Sequence, residues 1–161
     1  MERRLAAILV ADVVGYTRLM GDDETGTLDN LKRIRDDLIC PIIAQHNGRI
    51  VKLMGDGLLV EFASIIDAVK CARAWQQAVS DNIADSQTQP PIHFRIGLNL
   101  GDVIVDGEDL YGNGVNIAAR LEALADPGGI CLSGDAYRQA KGKIDKNHTV
   151  RCAVSFCLTF K

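Results

Sequence analysis

With 161 residues, the chain has room for one domain and one sizeable core, not for two. Hydrophobic residues make up 47% and charged residues 24%, the balance of an ordinary globular protein. A net charge of −3 argues against a general nucleic-acid surface, so an anionic ligand must be held by local cations, helix N-termini or metals.

Five cysteines (40, 71, 131, 152 and 157) are odd in number and lack metal-ligand spacing. They read as reduced thiols of a cytoplasmic protein rather than a disulfide framework. No stretch is long enough to span a bilayer, and no internal repeat, low-complexity tract or linker divides the chain. The charged start before Leu5–Val10 faintly resembles a signal peptide. Asp12 interrupts that run early and no small-residue cleavage site follows, so the run reads as a buried strand.

In chain order, Leu5–Val14 (LAAILVADVV) is a continuous apolar run of strand length, suited to a central strand covered on both faces. Asp12 lies near its end, where a charge is costly unless it is paired or bound to a metal. Gly15 then allows a tight turn into a helix, whose first amides can meet phosphate oxygens. For one Asp and one Gly alone, a plain capped helix start is the reading that usually wins. Thr25–Asn47 carries Leu28, Leu31, Ile34, Leu38 and Ile42 at helical spacing. Pro41 should kink that helix, and Gly48 should stop it.

Ile50–Phe62 (IVKLMGDGLLVEF) is the strongest local signal: two apolar runs around Gly55-Asp56-Gly57 predict a hairpin with Asp56 at its tip. Lys52 is the one cation on its first strand. Taken alone, the stretch is also satisfied by a surface turn and a solvated lysine. Ile65–Ile83 predicts a second amphipathic helix with Trp75 in the core, followed by a polar loop over Asp85–Pro91. His93–Leu100 alternates as a strand, and Gly101-Asp102 predicts a turn into Val103–Val105, a second hairpin. His93 has no partner that would make it a metal ligand.

Asp106–Asp126 (DGEDLYGNGVNIAARLEALAD) reads as a Gly-rich loop leading into a helix with an apolar stripe at Ile117, Leu121 and Leu124. Asn116 and Arg120, at i and i+4, share one helix face. Asp109 sits in the preceding loop, and Arg120 has Glu122 or Asp126 as ordinary solvent partners. A turn at Pro127-Gly128-Gly129, a strand over Ile130–Leu132 and a helix capped by Ser133 follow. The end of the chain alternates from Val150 to Phe160 and predicts one strand with a covered face.

Four of these stretches resemble the catalytic domain of class III nucleotidyl cyclases, the adenylate cyclases among them. They are Val10-Ala-Asp-Val-Val-Gly-Tyr-Thr17, Val51-Lys-Leu-Met-Gly-Asp-Gly57, Arg95-Ile-Gly-Leu-Asn-Leu-Gly101 and Asp109-Leu-Tyr-Gly-Asn-Gly-Val-Asn-Ile-Ala-Ala-Arg120. They run in the family's order over about the first 140 residues. The resemblance implies an α/β (α+β) fold, a ferredoxin-like, mainly antiparallel sheet with helices packed on it. It implies formation of 3′,5′-cyclic AMP and pyrophosphate from ATP. Asp12, the Val13 carbonyl and Asp56 would hold two Mg²⁺ or Mn²⁺ ions, and the amides of Val14, Gly15, Tyr16 and Thr17 would cradle the phosphates. Lys52 and Asp109 would read adenine, Asn116 would orient the ribose, and Arg120 would offset charge on the α-phosphate.

In the family, metal and base-reading residues of one site come from different subunits. All are present here, which implies a homodimer with two shared sites. One departure stands out. The family's final hairpin carries a Leu-Lys-Asn-like segment, and 141–161 does not match it. Lys143 and Lys146 are nearby but not in that context. Residues 1–140 are therefore expected to form the catalytic domain and 141–161 a divergent segment without the phosphate-binding hairpin. A non-catalytic nucleotide-binding or dimerisation module is the alternative that this departure leaves open; a guanylate cyclase is disfavoured by Lys52 and Asp109.

Overall fold

The computed structural model describes residues 1–86, 90–143, 149–152 and 156–159, the last two ranges as backbone only. Its centre is β1 (Glu2–Val13), and residues Ala6 to Ala11 of this strand are all buried. Such a strand needs cover on both faces, and it has it. Ala7, Leu9, Ala11 and Val13 face one core cluster, while Ala6, Ile8 and Val10 face another.

After β1 come α1 (Tyr16–Asp22), α2 (Glu24–Ile34) and α3 (Cys40–Gln45), with a π-helical turn over Arg35–Ile39. The expected kink at Pro41 is taken up by that π turn. Proline has no N–H to donate to the carbonyl four residues back, so the hydrogen-bond ladder shifts to the wider spacing just before it. The stop is not Gly48. Asn47 takes the left-handed conformation (φ 60°), and the Gly48 amide closes on the Ile43 carbonyl at 2.9 Å.

The hairpin is as expected: β2 (Arg49–Met54), a turn at Gly55-Asp56, and β3 (Gly57–Phe62). The long helix α4 (Ile65–Asp85) starts at Ser64, whose hydroxyl accepts from the Ile66 and Asp67 amides. Trp75 is fully buried and meets Phe94 edge-on, ring centroids 5.5 Å apart. Of the expected loop at Asp85–Pro91, residues 87–89 lie outside the described range.

The second hairpin falls later than the sequence reading placed it. β4 runs unbroken over Phe94–Asp106, and Gly101 and Asp102 pair in register with Ala6 and Leu5. A 12-residue partner strand holds this Gly-Asp pair extended. The reversal occurs instead at Gly107 (φ 61°), before the short β5 (Asp109–Tyr111). Then follow α5 (Asn113–Leu124), β6 (Ile130–Leu132) and α6 (Gly134–Ala140), the last capped by the Ser133 hydroxyl. At the end of the chain, the single strand expected over Val150–Phe160 is replaced by two, β7 (Thr149–Cys152) and β8 (Phe156–Thr159), paired antiparallel. Residues 144–148, 153–155 and 160–161, and with them Lys146, lie outside the described range.

All eight strands join one sheet in the order β2-β3-β1-β4-β6-β8-β7, with β5 added on β4. Its pairs are antiparallel except β4 with β6. On one face α4 and α6 pack with Ile34, Ile39 and Ile43 from the α2–α3 region. On the other face Ala118 of α5 covers Ala6, Ile8 and Val10.

Gly97 lets α5 approach the sheet. A Cβ there would lie 2.3 Å from the Ala118 carbonyl oxygen and 2.4 Å from the Glu122 amide nitrogen. Both are helix backbone, which cannot swing aside as a side chain can. A Gly97→Ala variant is therefore expected to lose about 1–3 kcal/mol, or to misplace α5, and thermal melting will show it as a lowered midpoint. An unchanged melting temperature would mean that α5 is not seated on β4 in this way.

Candidate active site

The sequence-predicted residues fall into three groups. The first forms where β1 ends beside the β2–β3 turn. Asp56 accepts a hydrogen bond from the Val13 amide through Oδ2, at 3.0 Å. Gly57 makes the approach possible, since a Cβ there would lie 2.4 Å from the Ala11 carbonyl oxygen and 3.3 Å from the Asp12 Cβ. Asp12 and Asp56 are thus drawn together through the Val13 backbone, which is 43 residues from Asp56 in the chain.

Asp12 is half-buried, and its Oδ1 is fully buried with no hydrogen-bond partner among the described residues. It shares a sheet face with Ala6, Ile8 and Val10, the face covered by α5. Opposite it in register stands Arg95, whose Nε donates to the Ala125 carbonyl just past α5. Glu122 reaches into this corner from α5 and is 7% exposed. Burial, and then the neighbouring Asp12 carboxylate, push the Glu122 carboxyl up to about 8, partly offset by Arg95. Its Oε1 also lacks a hydrogen-bond partner among the described residues.

The expectation that Glu122 is a solvent partner for Arg120 therefore fails. Position 122 follows Ala118 by four and precedes Ala125 by three, which puts it on the buried stripe of α5. That spacing was readable in the sequence. Leu124, expected in the same stripe, is 64% exposed instead.

Past β1, the Val14 amide donates to the His93 carbonyl at 2.8 Å and is already engaged. Gly15 takes the left-handed conformation (φ 65°) and turns the chain into α1, with Tyr16 half-buried and Thr17 exposed.

The second group joins β2 to β5. The Lys52 ammonium lies 3.0 Å from Asp109 Oδ1 and 3.1 Å from Oδ2, and 5.1 Å from the centre of the Tyr111 ring. Asp109 Oδ1 also accepts from the Leu110 amide at 2.8 Å. The hydrogen bond from Lys52, then that from the Tyr111 hydroxyl, hold the Asp109 carboxyl below the usual carboxylate range. The Tyr111 hydroxyl is raised in turn, first by its bond to Asp109. Sequence reading did not single out Tyr111 as part of this group, although it lies two residues beyond Asp109.

A β-bulge aims Lys52. Ile50 pairs with Val60, but Lys52 pairs with Leu59, so Val51 is the extra residue. Val60 belongs to the core under α4 and Leu59 to the core under α5. Without the bulge, Lys52 would share the face of Ile50 and point into the core under α4. With it, the lysine reaches the opposite face and meets Asp109.

The third group is on α5. Asn116 and Arg120 are exposed on its outer face, and neither side chain has a hydrogen-bond or ion-pair partner among the described residues. Among those residues, no hydrogen bond or ion pair links the three groups to one another.

A family of known proteins, the adenylate and guanylate cyclase catalytic domain, matches residues 2–156. The chain belongs to that family.

This cyclase domain is 48% identical over 145 residues to a Rhizobium meliloti (strain 1021) protein named "Putative adenylate cyclase 3", covering 90% of the chain and 25% of that protein. It is 31% identical over 125 residues to an adenylate cyclase of Streptomyces coelicolor, covering 78% of the chain and 31% of that protein. It thus spans a quarter to a third of these relatives. Among solved structures, an adenylate/guanylate cyclase/hydrolase from Silicibacter pomeroyi superposes with a TM-score of 0.86 at 39% identity, over 98% of this chain and 95% of that one. The adenylyl cyclase CyaB from P. aeruginosa shares the fold, with a TM-score of 0.79 at 21% identity over 100% and 97% of the two chains.

Cyclase catalytic domains use divalent metal ions, bind nucleotides and act as dimers. The corner at Asp12 and Asp56 fits such an ion. Among the described residues no three His, Cys, Asp or Glu side chains gather into a ready-made cage. Two carboxylates and a carbonyl still form an oxygen-only donor set, which suits a hard cation that keeps water and phosphate oxygens as its other ligands. The orphaned Asp12 Oδ1 is the observation that a cation satisfies. No helix among the described residues is long and apolar enough to cross a membrane.

Proposed function

We propose that this domain is an adenylate cyclase that converts ATP to 3′,5′-cyclic AMP and pyrophosphate in sites shared between two copies of the chain. The observation that carries the adenine preference is the Lys52–Asp109 pair. Adenine offers a ring-nitrogen acceptor beside a 6-amino donor. A lysine ammonium and a carboxylate held side by side complement that edge, whereas guanine presents the opposite pattern. The pair forms before any ligand arrives, which lowers the ordering cost of binding.

In the reaction, the ribose 3′-oxygen bonds to the α-phosphorus, the bond from that phosphorus to the bridging oxygen of pyrophosphate breaks, and the 3′-hydroxyl proton leaves. Asp12, Asp56 and the Val13 carbonyl would hold two Mg²⁺ or Mn²⁺ ions. When bound, these make the 3′-hydroxyl more acidic and offset charge on the departing pyrophosphate. The Val13–Asp56 bond fixes one carboxylate relative to the other. The amides at Gly15, Tyr16 and Thr17 are the phosphate cradle in this reading, without Val14, whose amide is already engaged.

Asn116 positions the ribose, and the Arg120 guanidinium meets charge that grows on the α-phosphate, where it counts most in the transition state. Both side chains are exposed on the outer face of α5 and have no side-chain partners among the described residues, which supports their completing a site in a second copy.

The test is cyclic AMP formation from ATP with Mg²⁺ and with Mn²⁺, over a range of protein concentrations. Specific activity is expected to rise with concentration as dimers form, and GTP is expected to be the poorer substrate. Nucleotide binding without turnover in either metal would make the chain a binding module instead. A preference for GTP would overturn the base reading.

A further inference from the structure

The Lys52–Asp109 pair does not stand alone on its sheet face. Three residues before Lys52, Arg49 opens β2 and stands opposite Glu61 of β3 in register. Its Nε and Nη2 donate to Glu61 Oε2 at 3.1 and 2.7 Å. Its remaining nitrogen, Nη1, donates to the Glu108 backbone carbonyl at 2.9 Å. Glu108 lies in the β4–β5 turn, immediately before Asp109. Glu61 is itself fixed, because it is 9% exposed and Arg4 of β1 holds its other oxygen.

Arg49 therefore spans from an anchored carboxylate in the sheet to the backbone next to Asp109. We propose that Arg49 is a positioning residue for adenine selection: it sets the register of the β4–β5 turn against β2, and so the place of Asp109 beside Lys52. The proposal rests on the reading of Lys52 and Asp109 as the base-recognising pair.

The chemistry separates two duties of Arg49. The fork of its guanidinium reaches Glu61 and the Glu108 carbonyl together. A lysine at position 49 keeps a charge for Glu61 but has one compact head group and cannot serve both. Arg49→Lys thus keeps the ion pair that matters for folding and drops the tie to the turn. Arg49→Ala removes both duties.

The experiment measures kcat/KM for ATP and for GTP in the parent, Arg49→Lys, Asp109→Ala and the double variant, with melting temperatures alongside. Arg49→Lys is expected to melt near the parent, yet to lower the ATP-over-GTP preference about three- to tenfold, mostly through a raised KM for ATP. Once Asp109 is gone there is nothing left to position, so Arg49→Lys should change the preference no further in the double variant. If Asp109→Ala lowers the preference and Arg49→Lys does not, the positioning role is wrong and the base reading stands. If the double variant falls well below Asp109→Ala alone, Arg49 acts by another route and the proposal fails. If Asp109→Ala itself leaves the preference unchanged, the base reading fails and this inference with it.

Discussion

An Asp12→Ala protein is expected to form almost no cyclic AMP while melting at or above the parent temperature. Among the described residues Asp12 Oδ1 has no hydrogen-bond partner, and the Glu122 carboxyl lies beside Asp12 on a buried face. Removing that carboxylate takes away a buried oxygen that has no hydrogen-bond partner among the described residues. This offsets the loss of its hydrogen bond with the Glu122 carboxyl, which is protonated at neutral pH with its value at about 8. Asp56→Ala should be as inactive but slightly less stable. It leaves the Val13 amide without its acceptor, a loss of about 0.5–1.5 kcal/mol.

On the proposed metal assignment, either variant takes a carboxylate ligand from the metals, and with it several kcal/mol of transition-state stabilisation. The rate should fall about a thousandfold or more. Titration with Mn²⁺, followed by calorimetry, should show weakened binding in both variants, independently of turnover. Near-parental activity in either protein would sink the assignment of the metals to these residues. The opposite signs of the two stability changes are the finer test of the corner as described.

That corner was legible in the sequence because local patterns mark it. An apolar run stopped by Asp12, and an Asp-Gly turn between two strands, each announce a carboxylate at a strand end. What brings them together is non-local. The fit of Gly57 against the Ala11 carbonyl depends on β3 lying beside β1, which no window of residues encodes.

The bulge at Val51 escaped for the same reason. It is a mismatch between two strands, and Ile50-Val51-Lys52 reads as unbroken strand until its partner is known. Gly101-Asp102 failed in the other direction, because a local turn signal was overruled by twelve residues of pairing with β1. Glu122 was a different kind of miss. Its place on the buried stripe of α5 follows from helical spacing, but a glutamate near an exposed arginine invites the simpler reading of a surface pair. Arg49 gave no signal at all, since a charged residue at the start of an exposed hairpin strand is ordinary. Its role depends on a turn 59 residues away.

The proposed sharing of each site between two copies has the most demanding consequence. Asp56→Ala and Arg120→Ala should each be nearly inactive as homodimers, since both sites of each dimer lack one essential group. Within one chain, Asp56 lies in the β2–β3 turn beside the end of β1 and Arg120 is exposed on α5, with no hydrogen bond or ion pair between their groups among the described residues. In a mixed dimer, one site takes Asp56 from the Arg120→Ala chain and Arg120 from the Asp56→Ala chain, and is whole. The other site carries both lesions. Each mixed dimer should therefore recover up to about half the activity of a parent dimer. Equal amounts paired at random make about half the dimers mixed, so about a quarter of the parent activity should return on mixing. The recovered activity should fade on dilution more steeply than simple proportion, because dissociation separates the complementary chains. Subunit exchange can be followed independently by mass-tagging one variant. If exchange is complete and mixing restores nothing, Asp56 and Arg120 do not meet across two chains, and the shared-site mechanism is wrong.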